Sequence, residues 1–234
     1  MSFTPPPDFP PEDYFALGAG DSNLNEAGAT EDLIINGSAG ANFIVSGSGN
    51  DSIAGGDGND TISGGDGDDV IAGNQGQDVL NANQGSDTLR GGQFADTVRG
   101  GQGDDFANGN LDNDFLNGNL GNDKVYGGKG NDTCYGGQGN DFLSGDLGDD
   151  LLEGGTGDDT LTGGLGADQF VFSEGNDLVS DYSFDQGDRI VLPVGTTPIY
   201  AVEDGNVLMT IPGVGTMIFE NTTLEAVQGG VVFG

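Results

Sequence analysis

One apolar residue recurs at every ninth position through the middle of the chain, with polar residues and glycine between. The series is Ile53, Ile62, Ile71, Leu80, Leu89, Val98, Ala107, Leu116, Val125, Cys134, Leu143, Leu152, Leu161 and Phe170. Around each of these the pattern alternates outward, inward, outward, as in a very short strand. One inward side chain per strand cannot form a core alone. Stacked strands can, because each adds its residue to a continuous interior column. The spacing therefore predicts an all-β array of stacked strands.

With this residue at position 7 of a nonapeptide, fourteen gap-free units run from Gly47 to Phe172, beginning GSGNDSIAG, GDGNDTISG, GDGDDVIAG. Position 3 is Gly except at Phe94 and Asp112. Position 9 is Gly except at Ala82 and Phe172, and position 1 is Gly, Asn or Asp throughout. These residue types tolerate the positive φ of tight turns, so positions 9, 1 and 3 predict a turn with unusual backbone angles. Position 5 is always aspartate: Asp51, Asp60, Asp69, Asp78, Asp87, Asp96, Asp105, Asp114, Asp123, Asp132, Asp141, Asp150, Asp159 and Asp168. Like charges stacked this regularly repel unless a cation sits between them. These fourteen are the candidate metal ligands, joined by turn carbonyls. Hard oxygen donors in that number suit Ca²⁺ better than Mg²⁺, Zn²⁺ or Fe²⁺. A solvated acidic face would not lock the Gly spacing to the Asp spacing.

Composition sharpens this picture. Arg90, Arg99, Lys124, Lys129 and Arg189 are the only bases against 39 acids, for a net charge of −34. That sign argues against nucleic acid and anionic membranes as partners, and it opposes compact folding without bound counter-ions. The absence of His excludes Ser-His-Asp and Cys-His hydrolases and His-bound zinc sites. A single Cys forbids an intrachain disulfide. No apolar run has the length of a membrane span. The start, MSFTPPPDFPPEDY, has neither the basic nor the apolar region of a Sec signal.

The cyclic pattern G-G-x-G-x-D-x-U-x resembles the nonapeptide repeat of the RTX family, over residues 47–172. The resemblance implies a parallel β-roll. In that fold two nonapeptides make an 18-residue coil, each coil gives one strand to each of two sheets, and calcium ions lie in rows along both edges between successive turns. Odd units then share one edge and even units the other. Seven turns on each edge leave six gaps, so up to twelve Ca²⁺ fit the roll. The odd edge has an unbroken position-3 glycine series. On the even edge Phe resists positive φ, which predicts a rebuilt turn and one to three missing or distorted sites around Phe94 and Asp112.

Outside the array, residues 1–30 are expected to be a mostly irregular Pro/Gly-rich lead-in. Residues 31–46, with EDLIING and ANFIVSG, read as degenerate capping repeats carrying a one-residue offset. The period is expected to stop after Phe172. Residues 173–234 predict a small antiparallel C-terminal β cap with turns at Asp204-Gly205 and Pro212-Gly213, ending at VVFG. Asp177, Asp181 and Asp188 read first as solvated surface carboxylates, with a further ion site as the alternative. FVFSEGNDLVSDYSFDQGDRIVL resembles the segment that follows RTX arrays. In the family this region carries an uncleaved type I secretion signal, which implies an extracellular protein.

Cys134, at an inward position, is expected to be a core residue and not a reactive thiol. Phe106, Tyr126 and Phe142 fall on one sheet face, Phe115 and Tyr135 on the other. They are either ordinary strand aromatics or a site for self-association, a protein or a polysaccharide. Arg90 and Arg99 read as charge offsets, with sugar or acid recognition as the sharper alternative. Positions 6 and 8 are too mixed for a regular threonine array. The expected function is a non-enzymatic, secreted, calcium-binding module, because repeats and caps leave no room for a catalytic domain. The alternative is an accessory module for an extracellular polysaccharide, carried by the aromatics with Asn108 or Asn117.

Overall fold

The computed structural model describes residues 14–18, 20 and 22–234; the proline cluster of the lead-in lies outside them. The chain winds into a two-sheet solenoid. Its strands are β1 (Tyr14–Ala16), β2 (Ser22–Ala29), β3 (Ile34–Ser38), β4 (Asn42–Ser48), β5 (Ser52–Asp57), β6 (Thr61–Asp66), β7 (Val70–Gln75), β8 (Val79–Gln84), β9 (Thr88–Gln93), β10 (Thr97–Gln102), β11 (Phe106–Leu111) and β12 (Phe115–Leu120). They continue as β13 (Lys124–Lys129), β14 (Thr133–Gln138), β15 (Phe142–Leu147), β16 (Leu151–Thr156), β17 (Thr160–Leu165), β18 (Gln169–Val171), β19 (Gly175–Val179) and β20 (Arg189–Leu192). Odd strands form one sheet and even strands the other, each strand parallel to the one two places before it. From Ile34↔Ser52 through Thr160↔Leu178 the odd sheet keeps an 18-residue register. The even sheet does the same from Phe43↔Thr61.

This register follows from the nine-residue period. Two units per coil put equal positions directly over one another, so all fourteen position-7 side chains are buried in a single column. Glycine at position 1 lets successive coils approach closely, and glycine at position 9 leaves room for the next aspartate side chain. Cys134 is fully buried in this column, as its position required.

The flanks differ from expectation in four ways. The capping repeats carry no offset: Ile35 pairs with Ile53 and Ile44 with Ile62, in the register of the roll. The slip lies one coil earlier, where Tyr14 pairs with Ile34 and Leu24 with Ile44 at a 20-residue spacing. The described part of the lead-in is accordingly mostly strand, not irregular. The period also does not stop at Phe172. Gly175, Asp177 and Val179 hold positions 3, 5 and 7 of a fifteenth unit, with Val179 buried in the column.

The cap follows as β21 (Ile199–Glu203), β22 (Asn206–Ile211) and β23 (Gly215–Phe219), an antiparallel meander joined to the odd sheet through β19 and β23. Its first turn has Asp204 and Gly205 at φ +50° and +88°, the paired positive angles of a tight hairpin. The second turn falls at Pro212-Gly213. A short helix, α1 (Leu224–Gly230), was not legible in the sequence; Thr223 caps it by accepting the Ala226 N–H. The last strand, β24 (Val231–Phe233), is parallel to β20. Tyr182 closes the column, 6.2 Å from the Phe170 ring and 5.4 Å from Phe219.

Candidate metal centre

The fourteen position-5 aspartates lie in two rows along the edges of the solenoid, and every one is buried. A solvated acidic face is therefore excluded. One carboxylate oxygen of each is fixed by the fold. Oδ1 accepts the backbone N–H of the position-5 residue one coil earlier, from Leu33 N–H on Asp51 at 2.7 Å to Asp150 N–H on Asp168 at 3.0 Å. The ladder in the middle of the roll is uniform: Asp69 to Asp87 at 2.7 Å and Asp105 to Asp123 at 2.8 Å are typical.

The other oxygen has no such partner. Oδ2 is buried and without a hydrogen bond in all fourteen. It sits over the position-9 residue five places back, where a β-carbon on glycine would collide with it, as at Gly64 under Asp69. Unpaired buried acceptors are costly even when neutral, and more so when charged. Burial therefore pushes these carboxyls up: Asp78, Asp87, Asp123, Asp132 and Asp150 to about 6, Asp69, Asp96, Asp105, Asp141 and Asp168 to about 7, and Asp114 to about 8. The N–H on Oδ1 opposes this rise in each case without cancelling it. Burial likewise raises Asp51, Asp60 and Asp159.

The turns supply further oxygen. Positions 1 and 3 have positive φ in every unit from Gly47 to Gly166. A β-carbon at Gly85 would strike the carbonyl of Gly67 one coil earlier, so the close approach of successive turns requires glycine there. Phe94 and Asp112 were expected to force a rebuilt turn. Both instead adopt φ +74°, and the turn keeps its shape. What changes is the hydrogen bonding: Phe94 N–H goes to Asp112 Oδ2 at 3.0 Å, whereas Gly103 N–H meets the Leu120 carbonyl.

The donor set fits a hard cation. It consists of carboxylate and carbonyl oxygens, with no imidazole or exposed thiolate. Among the described residues no three acidic side chains converge, so an ion here would need backbone carbonyls beside the carboxylates, a donor mix that suits Ca²⁺ with its six to eight oxygens.

Two sets of residues were misread or missed. Asp177, Asp181 and Asp188 are not solvated surface carboxylates. Asp177 and Asp188 are buried and continue the Oδ1 ladder, accepting from Asp159 and Asp168 N–H at 3.2 and 3.1 Å. Their Oδ2 atoms have protein donors, Ser173 Oγ at 2.9 Å and Ser183 N–H at 2.7 Å. Asp181 binds the N–H groups of Gly163 and Gly164. The missed set is at position 4, where Asn and Asp side chains accept a backbone N–H from the next coil, as Asn113 does from Asn131. The recurrence of Asn and Asp immediately before the invariant aspartate was the signal.

Solved structures to which the chain shows similarity include the AlgE6R3 subunit of the mannuronan C5-epimerase of Azotobacter vinelandii, 22% identical over 56% of this chain and 78% of that one, with a TM-score of 0.37. The extracellular lipase LipA of Serratia marcescens is 18% identical over 75% of this chain, which spans 40% of the lipase, with a TM-score of 0.31. No curated protein sequence matches the chain. The model of the RTX calcium-binding nonapeptide repeat matches residues 34–62, 45–80, 55–89, 81–116, 108–143 and 144–179, the same coils whose buried aspartates line the two edges. With most of its length matched in this way, the chain belongs to the RTX calcium-binding repeat family.

Proposed function

We propose that this protein is a module that folds as it takes up calcium and works outside the cell as a structural or interaction element, without catalysis of its own. The observation that carries this reading is the set of fourteen buried Oδ2 atoms lacking a hydrogen-bond donor. A β-roll with those oxygens ionised and unpaired is not stable. Protonating them, or placing a cation against them, makes it so. Asp51 through Asp168 with the adjoining turn carbonyls would hold the ions. The ion supplies the positive charge that five basic residues cannot. Twelve divalent ions would offset 24 of the 34 excess negative charges.

Calcium binding and folding then become one event. In a compartment poor in free calcium the chain stays open, a state suited to export. Beyond it, calcium closes the roll. The visible carboxylates support a non-catalytic role, because each position-5 group is committed to a neighbouring backbone N–H and none of them faces an open cleft.

The test is a calcium titration followed by far-UV circular dichroism, reversed with EGTA. A cooperative gain of β signal is expected. A chain fully folded without metal would overturn the reading. Export is tested by expression in cells lacking a type I exporter, where retention is expected and unchanged release would remove that part of the proposal. A second reading, a polysaccharide-binding accessory, is favoured by aromatic side chains on the outward faces of the roll. Phe106, Tyr126 and Phe142 form a ring ladder with centroids 5.4 and 5.6 Å apart, and Phe115 lies 5.5 Å from Tyr135 on the opposite face.

A further inference from the structure

The roll separates its charges. Its exposed acids sit in the turns, as Asp57, Asp66, Asp68, Asp104, Asp149 and Asp158 do, while the position-5 aspartates are buried along the edges. The outward strand positions are different. Positions 6 and 8 of the odd strands from β5 to β17 hold no acid, in a chain with 39. From β6 to β18 the even sheet breaks the same rule once, at Glu153. The nearest carboxylate on the odd face is Asp146 at position 1, which accepts the Ser144 O–H at 2.6 Å. The metal rows do not require this arrangement, because side chains at positions 6 and 8 take no part in the turns. An acid-free face on a polyanion suits burial against a partner, where a carboxylate would lose its water.

The odd face is also stepped. Its first outward residues are small, Ser52 and Ala54 on β5, Val70 and Ala72 on β7. From β11 onward come large ones, with Phe106, Tyr126 and Phe142 in a ladder at 5.4 and 5.6 Å. Such a step is self-complementary under a two-fold rotation. An axis along the strands, midway between β9 and β11, lays β5, β7 and β9 on β15, β13 and β11 of a second copy. Ser52 then meets Phe142, Ala72 meets Tyr126, and Thr88 meets Phe106. At position 1, Gly56, Asn74 and Gly92 meet Asp146, Gly128 and Asn110, so every side chain there faces a glycine. Arg90 faces the β11 strand of the other copy, where a guanidinium packs flat on a ring as Arg99 does on Phe115 at 5.9 Å. Lys124 and Lys129 stand at the two ends of β13, from which their ammonium groups reach water.

We propose that two copies of this chain pack against each other through the odd face, sheet on sheet. This names the partner of the interaction element proposed above and rests on that reading. Six strands about 4.8 Å apart, each six residues long at about 3.3 Å per residue, give a face of roughly 29 by 20 Å. That is about 600 Å² per copy and about 1,200 Å² in all, the lower limit of stable specific interfaces. Association is therefore reversible and depends on concentration. Other occupants fit this face less well. A polyanion or an anionic membrane is repelled by the net charge of −34. An extended peptide finds no free strand edge on a sheet face. A second copy brings its own acid-free face and leaves the acidic edges of both rolls in water.

The test is sedimentation velocity of the calcium-loaded full chain over a concentration series, with circular dichroism on the same samples. A monomer–dimer equilibrium is expected, and added sodium chloride should tighten it by screening the repulsion between copies. Ala72→Asp places an acid on the odd face and should weaken the dimer at least about tenfold. Asn81→Asp, at the matching position of the even sheet, should leave it unchanged. Where Ala72→Asp loses the calcium-driven fold, Tyr126→Ser carries the same expectation. The register is tested by oxidation: Ala72→Cys combined with Tyr126→Cys should yield a covalent dimer, and neither change alone should. A chain that does not fold in calcium fails the earlier reading and this one with it. A folded chain that stays monomeric fails this one alone. A dimer that ignores Ala72→Asp, responds equally to Asn81→Asp or loosens in salt would also overturn the proposal.

Discussion

The backbone N–H of Asp96 donates to Oδ1 of Asp114 at 2.7 Å, one coil away, while Oδ2 of Asp114 is buried with no donor. One half of each carboxylate thus ties coils together and the other half waits for a cation or a proton. The consequence for pH has a definite sign. Burial raises the folded-state values to between about 6 and about 8, against 3.8 for a free aspartate. The folded, metal-free chain therefore holds more protons than the unfolded one, and its stability falls as pH rises through that window. A chain stripped of calcium is expected to gain β signal as pH is lowered from about 8 to about 5, steeply because many groups titrate together. With calcium present, protons compete for the same oxygens, and the calcium midpoint should move to higher concentration as pH falls. A metal-free chain equally unfolded at both ends of that range would remove this account of the ladder.

Phe94 occupies a left-handed backbone position at φ +74° with its side chain half-exposed. A non-glycine residue there costs roughly 1–2 kcal/mol, and little burial is gained in return. Phe94→Gly is expected to stabilise the calcium-loaded chain by about 1 kcal/mol, seen as a thermal midpoint a few degrees higher. It should also let the N–H of residue 94 turn to the Leu111 carbonyl, the bond that Gly85 makes with Gln102 and Gly103 with Leu120. Native mass spectrometry of Phe94→Gly combined with Asp112→Gly is expected to show more bound calcium than the wild type. A lower midpoint and an unchanged ion count would mean that Phe94 contributes contacts that outweigh its strain.

The roll was legible because one period sets both register and burial. Ile53 predicts Ile71 beside it, and each position-7 residue falls in the column. The misreadings occur where one mark of the motif drops out while the geometry persists. Leu33 and Asn42 stand at position 5 in place of aspartate, yet their N–H groups feed Asp51 and Asp60 like any other rung. Ile35 and Ile44 carried the period there. In the fifteenth unit Ser173 replaces the usual position-1 residue and Asp181 the position-9 glycine, although Gly175 and Asp177 keep their places. Phe94 was misread for a different reason. Backbone preference is local, but the turn is clamped by coils on both sides, and that context overrode it.

Gly139 tests the turn itself. It has φ +128°, outside the region asparagine or aspartate can adopt at modest cost, and a β-carbon there would strike the Gly121 carbonyl. Gly139→Ala is expected to lose about 1–3 kcal/mol through strain and displacement of a stacked carbonyl. Calcium titration by circular dichroism should show a higher midpoint. Asn119→Gly, at φ +78° in an adjacent turn of the same edge, should change it little. Equal midpoints for Gly139→Ala and the wild type would show that stacked carbonyls are not needed for ion-driven folding.

Cys134 offers an independent report on the coupling of metal and fold. It lies fully buried in the column between Leu116 and Leu152. Burial first, and then the nearby carboxylates Asp132, Asp150 and Asp114, push its thiol well above the ordinary range. A thiol so placed is neither accessible nor ionised, and reaction requires the thiolate. In saturating calcium the chain is expected to resist a thiol-specific reagent for as long as the roll stays closed. After chelation at neutral pH the same reagent should label one site per chain, at the rate of an unstructured cysteine. The labelling rate plotted against calcium should follow the circular dichroism curve. Rapid labelling at full calcium, with the β signal intact, would mean that the middle coils open locally while the ends hold, and the roll would then not fold as one unit.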